Sequence, residues 1–249
     1  MTHHRSPHQS GAGEGAAEPL SLVVVSGGTG SPSSSRLLAD RIAQKVVDLL
    51  RQQGRAPTIH IIELAPIATS IARAIVSGFH DEQLKAAIRD LAAADGVIVV
   101  SPVYTAGLSG LFKSFFDILD NDLIVAKPTV LAATAGSARH ALVIDGQLRP
   151  MLAFMRALTV PTSVFAAPED WGASELGERT GRAATELAVL MMAGVGTTIA
   201  DRAWTGYQHR FGGDATRAKQ TASDVDFDTP LMRLAAGGAW PQHADSSST

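Results

Sequence analysis

The sequence predicts an α/β fold: a single doubly wound parallel sheet of five strands with helices on both faces. Three observations predict it. Short apolar runs rich in β-branched residues recur along the chain, and amphipathic helical segments alternate with them. The first run also passes through a Gly/Ser-rich loop directly into a helix. Runs that are apolar at every position suit strands buried on both sides, and regular alternation with helices is the pattern of βαβ units.

The elements follow in order. Residues 20–25 (Leu-Ser-Leu-Val-Val-Val) read as the first strand, ending in the loop 26–35. Leu38, Ile42, Val46 and Leu49 then recur at helical spacing among Arg36, Asp40, Arg41, Lys45 and Asp48. Residues 58–64 read as the second strand and 81–93 as a helix with Leu84, Ile88 and Leu91 on one face. The third strand is 96–101, followed by a loop and a helix over 108–119. A fourth strand over 128–133, a helix over 138–158, a fifth strand over 161–166 and a helix over 175–192 complete the pattern. Between them, residues 64–79 with Ile67, Ile71, Ile75 and Phe79 are more apolar than a surface connector needs, which predicts an interface in a homodimer or homotetramer.

The 249 residues suffice for a sizeable core, and the absence of an internal repeat argues for one domain over 20–205. Residues 1–19 read as a disordered leader, and 206–249 as an extension docked at about 227–234 with a mobile end. The leader's His3, His4 and His8 are too loosely spaced to be read as a metal site. At 45% apolar and 18% charged residues the composition is that of an ordinary globular chain. A net charge of -3 and only 5% aromatics argue against nucleic acid as a partner. Without cysteine there is no disulfide, thiolate metal site or Cys nucleophile. No apolar run reaches the roughly 18–20 residues of a membrane span, and no signal core precedes residue 20. A cytoplasmic protein is expected.

Right-handed crossovers place ligands at the carboxyl ends of the strands, and three strand-end loops carry unusual chemistry. The first supplies hydroxyls from Ser26, Thr29, Ser31, Ser33, Ser34 and Ser35 around Gly27, Gly28 and Gly30. Neutral donors clustered at a helix start suit a terminal monophosphate. No Gly-Lys-Ser/Thr follows, and Ser33 stands where a dinucleotide fingerprint needs its third glycine. The second loop runs Ser101-Pro102-Val103-Tyr104-Thr105-Ala106-Gly107. Tyr104 there is either beside a flat ligand or a rim residue, and Lys113 beyond it faces solvent or an ion pair. The third loop, Thr134-Ala135-Gly136-Ser137, exposes backbone donors and leads to Arg139 and His140. His140 is read either as a proton relay or ligand hydrogen bond, which would make it catalytic, or as a structural residue.

Ser-Pro-Val-Tyr over 101–104 and Gly-Leu-Phe-Lys-Ser-Phe-Phe-Asp over 110–117, after a Gly/Ser loop, resemble the NAD(P)H-dependent FMN reductase family. Residues 133–172 and Phe-Asp-Thr-Pro-Leu-Met-Arg-Leu over 227–234 resemble its branch associated with luciferase-like two-component monooxygenases of actinobacteria. The resemblance implies a flavodoxin-like fold, strand order 2-1-3-4-5, holding FMN without a covalent bond and taking hydride from NADH or NADPH. It implies that Ser26 and Ser33 to Ser35 hold the FMN phosphate, and that Pro102, Val103, Tyr104 and Thr105 lie along the isoalloxazine. Thr134, Ala135, Gly136 and Ser137 would face its pyrimidine edge, where backbone N–H groups meet the charge of the reduced form. Arg36 follows the serines rather than preceding them as the family pattern has it. The acceptor is expected to be a flavin or a quinone, with a luciferase-like monooxygenase as the downstream partner. The alternatives are a quinone or azo reductase and a flavodoxin-like electron carrier, for which a charge of -3 is mild.

Overall fold

The computed structural model describes residues 19–204. Its first strand, β1 (Ser21–Ser26), buries Leu22, Val23, Val24 and Val25 completely. Val23 and Val25 enter one apolar cluster while Leu22 and Val24 enter another. Alternate side chains point to opposite faces of a strand, so a strand apolar throughout has both faces covered. The chain continues through α1 (Ser34–Gln52), β2 (Thr58–Glu63), α2 (Ala68–Ser77), α3 (Glu82–Ala93) and β3 (Gly96–Tyr104). It then forms β4 (Gly107–Leu108), α4 (Gly110–Asp117), β5 (Pro128–Thr134), α5 (Arg149–Phe154), β6 (Leu158–Thr159), β7 (Val164–Ala166), α6 (Ser174–Met192) and α7 (Val195–Ala203).

The order across the sheet is β2-β1-β3-β5-β6, with β7 also beside β5 and the short β4 antiparallel to the end of β3. That is the doubly wound, flavodoxin-like order, with its reversal between β1 and β3. One face packs Leu38, Ile42, Val46 and Leu50 of α1 and Leu187 of α6. The other packs Ile71, Leu84, Phe112, Phe115 and Leu152 from α2, α3, α4 and α5. The Ser70 hydroxyl and the Leu84 N–H both donate to Asp81, which caps α3 with its carboxyl held below the usual range.

The structure departs from the sequence reading at several elements. The sheet has seven strands rather than five. The expected fifth strand, 161–166, is two pieces, β6 and β7. Between them β5 advances from Thr129 to Ala132 while its neighbour advances from Thr159 to Val164. Pro161 stands in that bulge with no N–H to give to a ladder. The expected helix over 138–158 is also broken. It becomes a 3-10 turn (Ala138–His140), a π turn (Ile144–Leu148) and α5. Pro150 cannot donate to residue 146, and its ring crowds that carbonyl, so regular α geometry cannot run through the junction. The segment 64–79, read as an apolar interface with no element assigned to it, contains α2.

The expected leader and the extension past 205, including 227–234, lie outside the described residues. Among the described residues no single helix is long and apolar enough to cross a membrane. Only α6 and α7 together pass by length and composition, bent by 50°. Leu176, Ala183 and Leu187 of α6 are buried against the sheet.

Candidate active site

The strand reversal places the ends of β1, β3 and β5 side by side, and a cleft opens there. At the end of β1 the chain runs close to α4: a Cβ on Gly27 would stand 2.9 Å from the Phe112 Cβ. At Gly28 the loop folds back on itself, where a Cβ would lie 2.0 Å from the Ser33 Oγ. Ser33 is the N-cap of α1, its hydroxyl accepting from the Arg36 N–H at 3.2 Å. The first-turn N–H groups of α1 have no helical acceptor and point out of the helix end.

The end of β3 carries Pro102, Val103 and Tyr104 and then reverses through Thr105 and Ala106. Both hold left-handed backbone, with φ of 49° and 61°. Val103 pairs with Leu108 and Tyr104 with Gly107, which makes this a two-residue hairpin. Such a turn is normally built from Asn-Gly, and a residue with a Cβ costs roughly 1–2 kcal/mol at each left-handed position. Gln147, from the π turn, clamps it. Its Oε1 accepts from the Leu108 N–H at 3.1 Å and its Nε2 donates to the Ala106 carbonyl at 3.4 Å.

Opposite the hairpin, Thr134, Ala135 and Gly136 leave β5. Thr134 shares a 2.7 Å hydrogen bond with Ser35, both hydroxyls buried, which locks the first loop to the third. The Ala135 N–H donates to the Ala166 carbonyl at 3.1 Å. Among the described residues, the N–H groups of Gly136 and Ser137 have no partner. The cleft between these walls has a volume of about 380 Å³ and no charged side chain in its lining. Ser34 stands in its wall. So do Ala166, Pro168 and Trp171, from the end of β7 and the turn after it.

A family model for NADPH-dependent FMN reductase matches residues 20–172, the span that contains every wall of this cleft. The chain belongs to that family. The reductase is 40% identical to the NADH-dependent FMN reductase SfnE of Pseudomonas putida over 149 residues, 60% of this chain and 77% of the relative. It is 35% identical to SfnF of Pseudomonas fluorescens over 173 residues, covering 69% and 89% of the two chains. A solved oxidoreductase from Corynebacterium diphtheriae superposes with a TM-score of 0.69 at 44% identity, covering 71% of this chain and 99% of that one. An apo NADH:FMN oxidoreductase, EMOB, superposes at 0.60 with 27% identity, over 68% and 89%.

Of the residues that the sequence singled out, the reductase brings Ser34, Pro102, Val103, Tyr104, Thr134, Ala135 and Gly136 into the cleft lining. Ser26 and Ser35 are buried beneath it. Thr29 is exposed and shares a 3.2 Å hydrogen bond with the Tyr104 hydroxyl, tying the first loop to the second. Ser31, Ser33, Thr105 and Ser137 are outside the lining. Ser137 caps the 3-10 turn instead, accepting from the Arg139 N–H at 3.4 Å.

Arg36 turns away from the serines. Its Nε donates to Asp40 at 2.8 Å and its guanidinium meets Glu63 at 3.0 Å, and the Asp40 bond above all raises its already high pKa. Lys113 pairs with Asp117, as expected of a surface cation. His140, half-buried, lies with Arg139 in a separate pocket on the far side of the hairpin. The wall that sequence reasoning missed is Ala166, Pro168 and Trp171. The signal was present: Ala-Pro-Glu-Asp-Trp-Gly over 167–172 is also a loop at a strand's carboxyl end. Arg41 packs over the Trp171 ring, 5.0 Å from its centroid, and steadies that wall.

Proposed function

We propose that this protein is an NAD(P)H-dependent flavin reductase that holds FMN in the strand-end cleft. The observation that carries the reading is the cleft itself: neutral, with the hydroxyl-rich start of α1 at one wall and a hairpin opposite unpartnered N–H groups at the others. Its donor set fits the group. A terminal phosphate needs neutral donors around several free oxygens, and the Ser33 and Ser34 hydroxyls with the first-turn N–H groups of α1 supply them. A planar ring needs flat, apolar walls, and Val103, Tyr104 and Ala135 supply those. When bound, FMN supplies the redox chemistry, taking hydride from NADH or NADPH and passing electrons to the acceptor.

The chain's own residues bind and orient. Gly136 and Ser137 present N–H donors where the ring's oxygen-rich edge would face, so negative charge is met by fixed dipoles with no reorganisation. Ser35 and Thr134 set the distance between phosphate wall and ring wall, and the Thr29–Tyr104 bond spans the mouth. No side chain need move a proton for hydride transfer.

The catalytic unit in this reading is residues 20–205, acting in the cytoplasm, where reduced nicotinamide nucleotides are made. Its acceptor is free flavin, delivered in reduced form to a luciferase-like monooxygenase, and its assembly is a homodimer or homotetramer. Steady-state oxidation of NADH and NADPH against FMN, FAD, riboflavin and a quinone panel tests the activity. Rapid turnover with FMN is expected. Tight FMN binding without nicotinamide oxidation would instead make the protein an electron carrier, and faster turnover with quinones would make it a quinone reductase.

A further inference from the structure

A second pocket, of about 350 Å³, is lined from the same hairpin and third loop as the cleft. The two have no lining residue in common, but two loops contribute to both. Val103 and Tyr104 of the hairpin line the cleft while Ala106 at its tip lines the pocket. Ala135 and Gly136 of the third loop line the cleft while Arg139 and His140, a few residues on, line the pocket. Charge divides between them. The cleft has no charged lining residue, whereas the pocket has Arg139 and His140 and no carboxylate.

Arg139 differs from the arginines beside the cleft and on the π turn. Arg36 is bonded to Asp40 and Glu63, Arg149 to Asp145, and Arg41 is stacked on Trp171. The Arg139 guanidinium is exposed and has no ion pair, hydrogen bond or ring contact among the described residues. Asp145, six residues on in the chain, is held by Arg149 Nε at 2.9 Å. Beside Gly146 the space is open, since a Cβ there would meet nothing within 4 Å. The Gln147 amide is committed to the hairpin, so Arg139 and His140 are left as the donors facing the space.

We propose that this pocket receives a phosphate group of the nicotinamide dinucleotide, with Arg139 as its cation, an inference that rests on the flavin-reductase reading. A hydride donor must bring its nicotinamide ring to the cleft, and its anionic remainder must then leave along the rim. The neutral cleft offers those charges no counterion. The adjoining pocket does, with the forked guanidinium that suits phosphate oxygens. Its volume accommodates a phosphate and part of a ribose, not a whole dinucleotide. The exposed Leu142 at the rim gives the sugar an apolar shelf. The phosphate has two sources: the pyrophosphate, common to NADH and NADPH, or the 2′-phosphate, found in NADPH alone.

The test is calorimetric titration of FMN-loaded protein with NAD+ and NADP+, which bind without turnover, in wild type, Arg139→Gln and Arg139→Lys. Arg139→Gln is expected to weaken binding roughly tenfold, with partial recovery in Arg139→Lys. An equal loss for both nucleotides assigns the pyrophosphate, and a loss for NADP+ alone assigns the 2′-phosphate. In turnover, the donor KM rises by the same factor with kcat nearly constant, and the salt dependence of KM flattens once the cation is gone. FMN affinity and the thermal midpoint should not change. Binding and KM both within twofold of wild type in Arg139→Gln would overturn the proposal. So would a change of oligomeric mass in that variant with donor binding intact, which would make the pocket an interface between copies. A wild-type protein that binds no FMN or oxidises no nicotinamide would fail the flavin-reductase reading itself, before any variant is compared.

Discussion

Ser33 and Ser35 stand two residues apart in one serine run, and the structure gives them different tasks. Ser33 is half-buried at the cap of α1, its hydroxyl against the backbone at Gly28. Ser35 is 1% exposed, and its hydroxyl is engaged with Thr134. Ser33→Ala is expected to weaken FMN by about 1–3 kcal/mol while leaving riboflavin, which has no phosphate, nearly unaffected, and to cost about 1 kcal/mol of stability through the lost cap of α1. Ser35→Ala is expected to act on stability, costing about 1–3 kcal/mol because the Thr134 hydroxyl is left buried and unpaired. Flavin-fluorescence titration reads the first and denaturant unfolding the second. Equal affinity of the wild type for FMN and riboflavin would remove the phosphate assignment.

Two broken elements do more for the site than the regular ones. The β3–β4 hairpin holds Thr105 and Ala106 in left-handed backbone and presents Val103 and Tyr104 to the cleft. The π turn over Ile144–Leu148 aims Gln147 at that hairpin. Replacing Thr105-Ala106 by Asn-Gly is expected to relieve the turn and raise stability by about 1–2 kcal/mol. Gln147→Ala is expected to lower stability by about 1–2 kcal/mol and to loosen Tyr104. Thermal unfolding measures both changes. Tyr104 fluorescence is ambiguous beside Trp171, so FMN affinity is the better report on the cleft. If Gln147→Ala leaves both stability and FMN affinity unchanged, the clamp does not hold the turn.

For the molecule as a whole, the apolar segment over 64–79 divides between two duties. Leu64, Ile67 and Ile71 are buried in the chain's own core, so they are not interface residues as the sequence suggested. An amphipathic helix, α2, explains why: its inner stripe packs inward. Its outer side leaves Ile75 51% and Val76 88% exposed, and Phe79, just past its end, is 57% exposed. Exposed large apolar side chains grouped along the chain in this way are what an interface uses. Light scattering at micromolar concentration is expected to show a species heavier than the 26.0 kDa chain. Ile75→Glu with Val76→Glu is expected to shift it towards the monomer, and a monomeric wild type would reject this face as an interface.

Much of this protein was legible in the chain alone because its strands are buried on both faces. Leu22, Val23, Val24 and Val25 have no solvent side, so their pattern depends little on what lies around them. The Gly/Ser loop and the Pro102-Val103-Tyr104 exit were legible for a related reason: a doubly wound sheet puts ligands at strand ends whatever their sequence. The fifth position of the sheet was not legible, because Pro161 forbids a ladder bond without saying where the register resumes. The helix over 138–158 misled because its apolar spacing continues past Pro150, which says that a regular helix breaks there but not that a π turn takes its place. Nor did the sequence distinguish Ser33 from Ser35, or pair Arg36 with Glu63 and leave Arg139 without a counterion. Those outcomes rest on contacts between residues distant in the chain, and only the tertiary structure brings such groups within a few ångströms of one another.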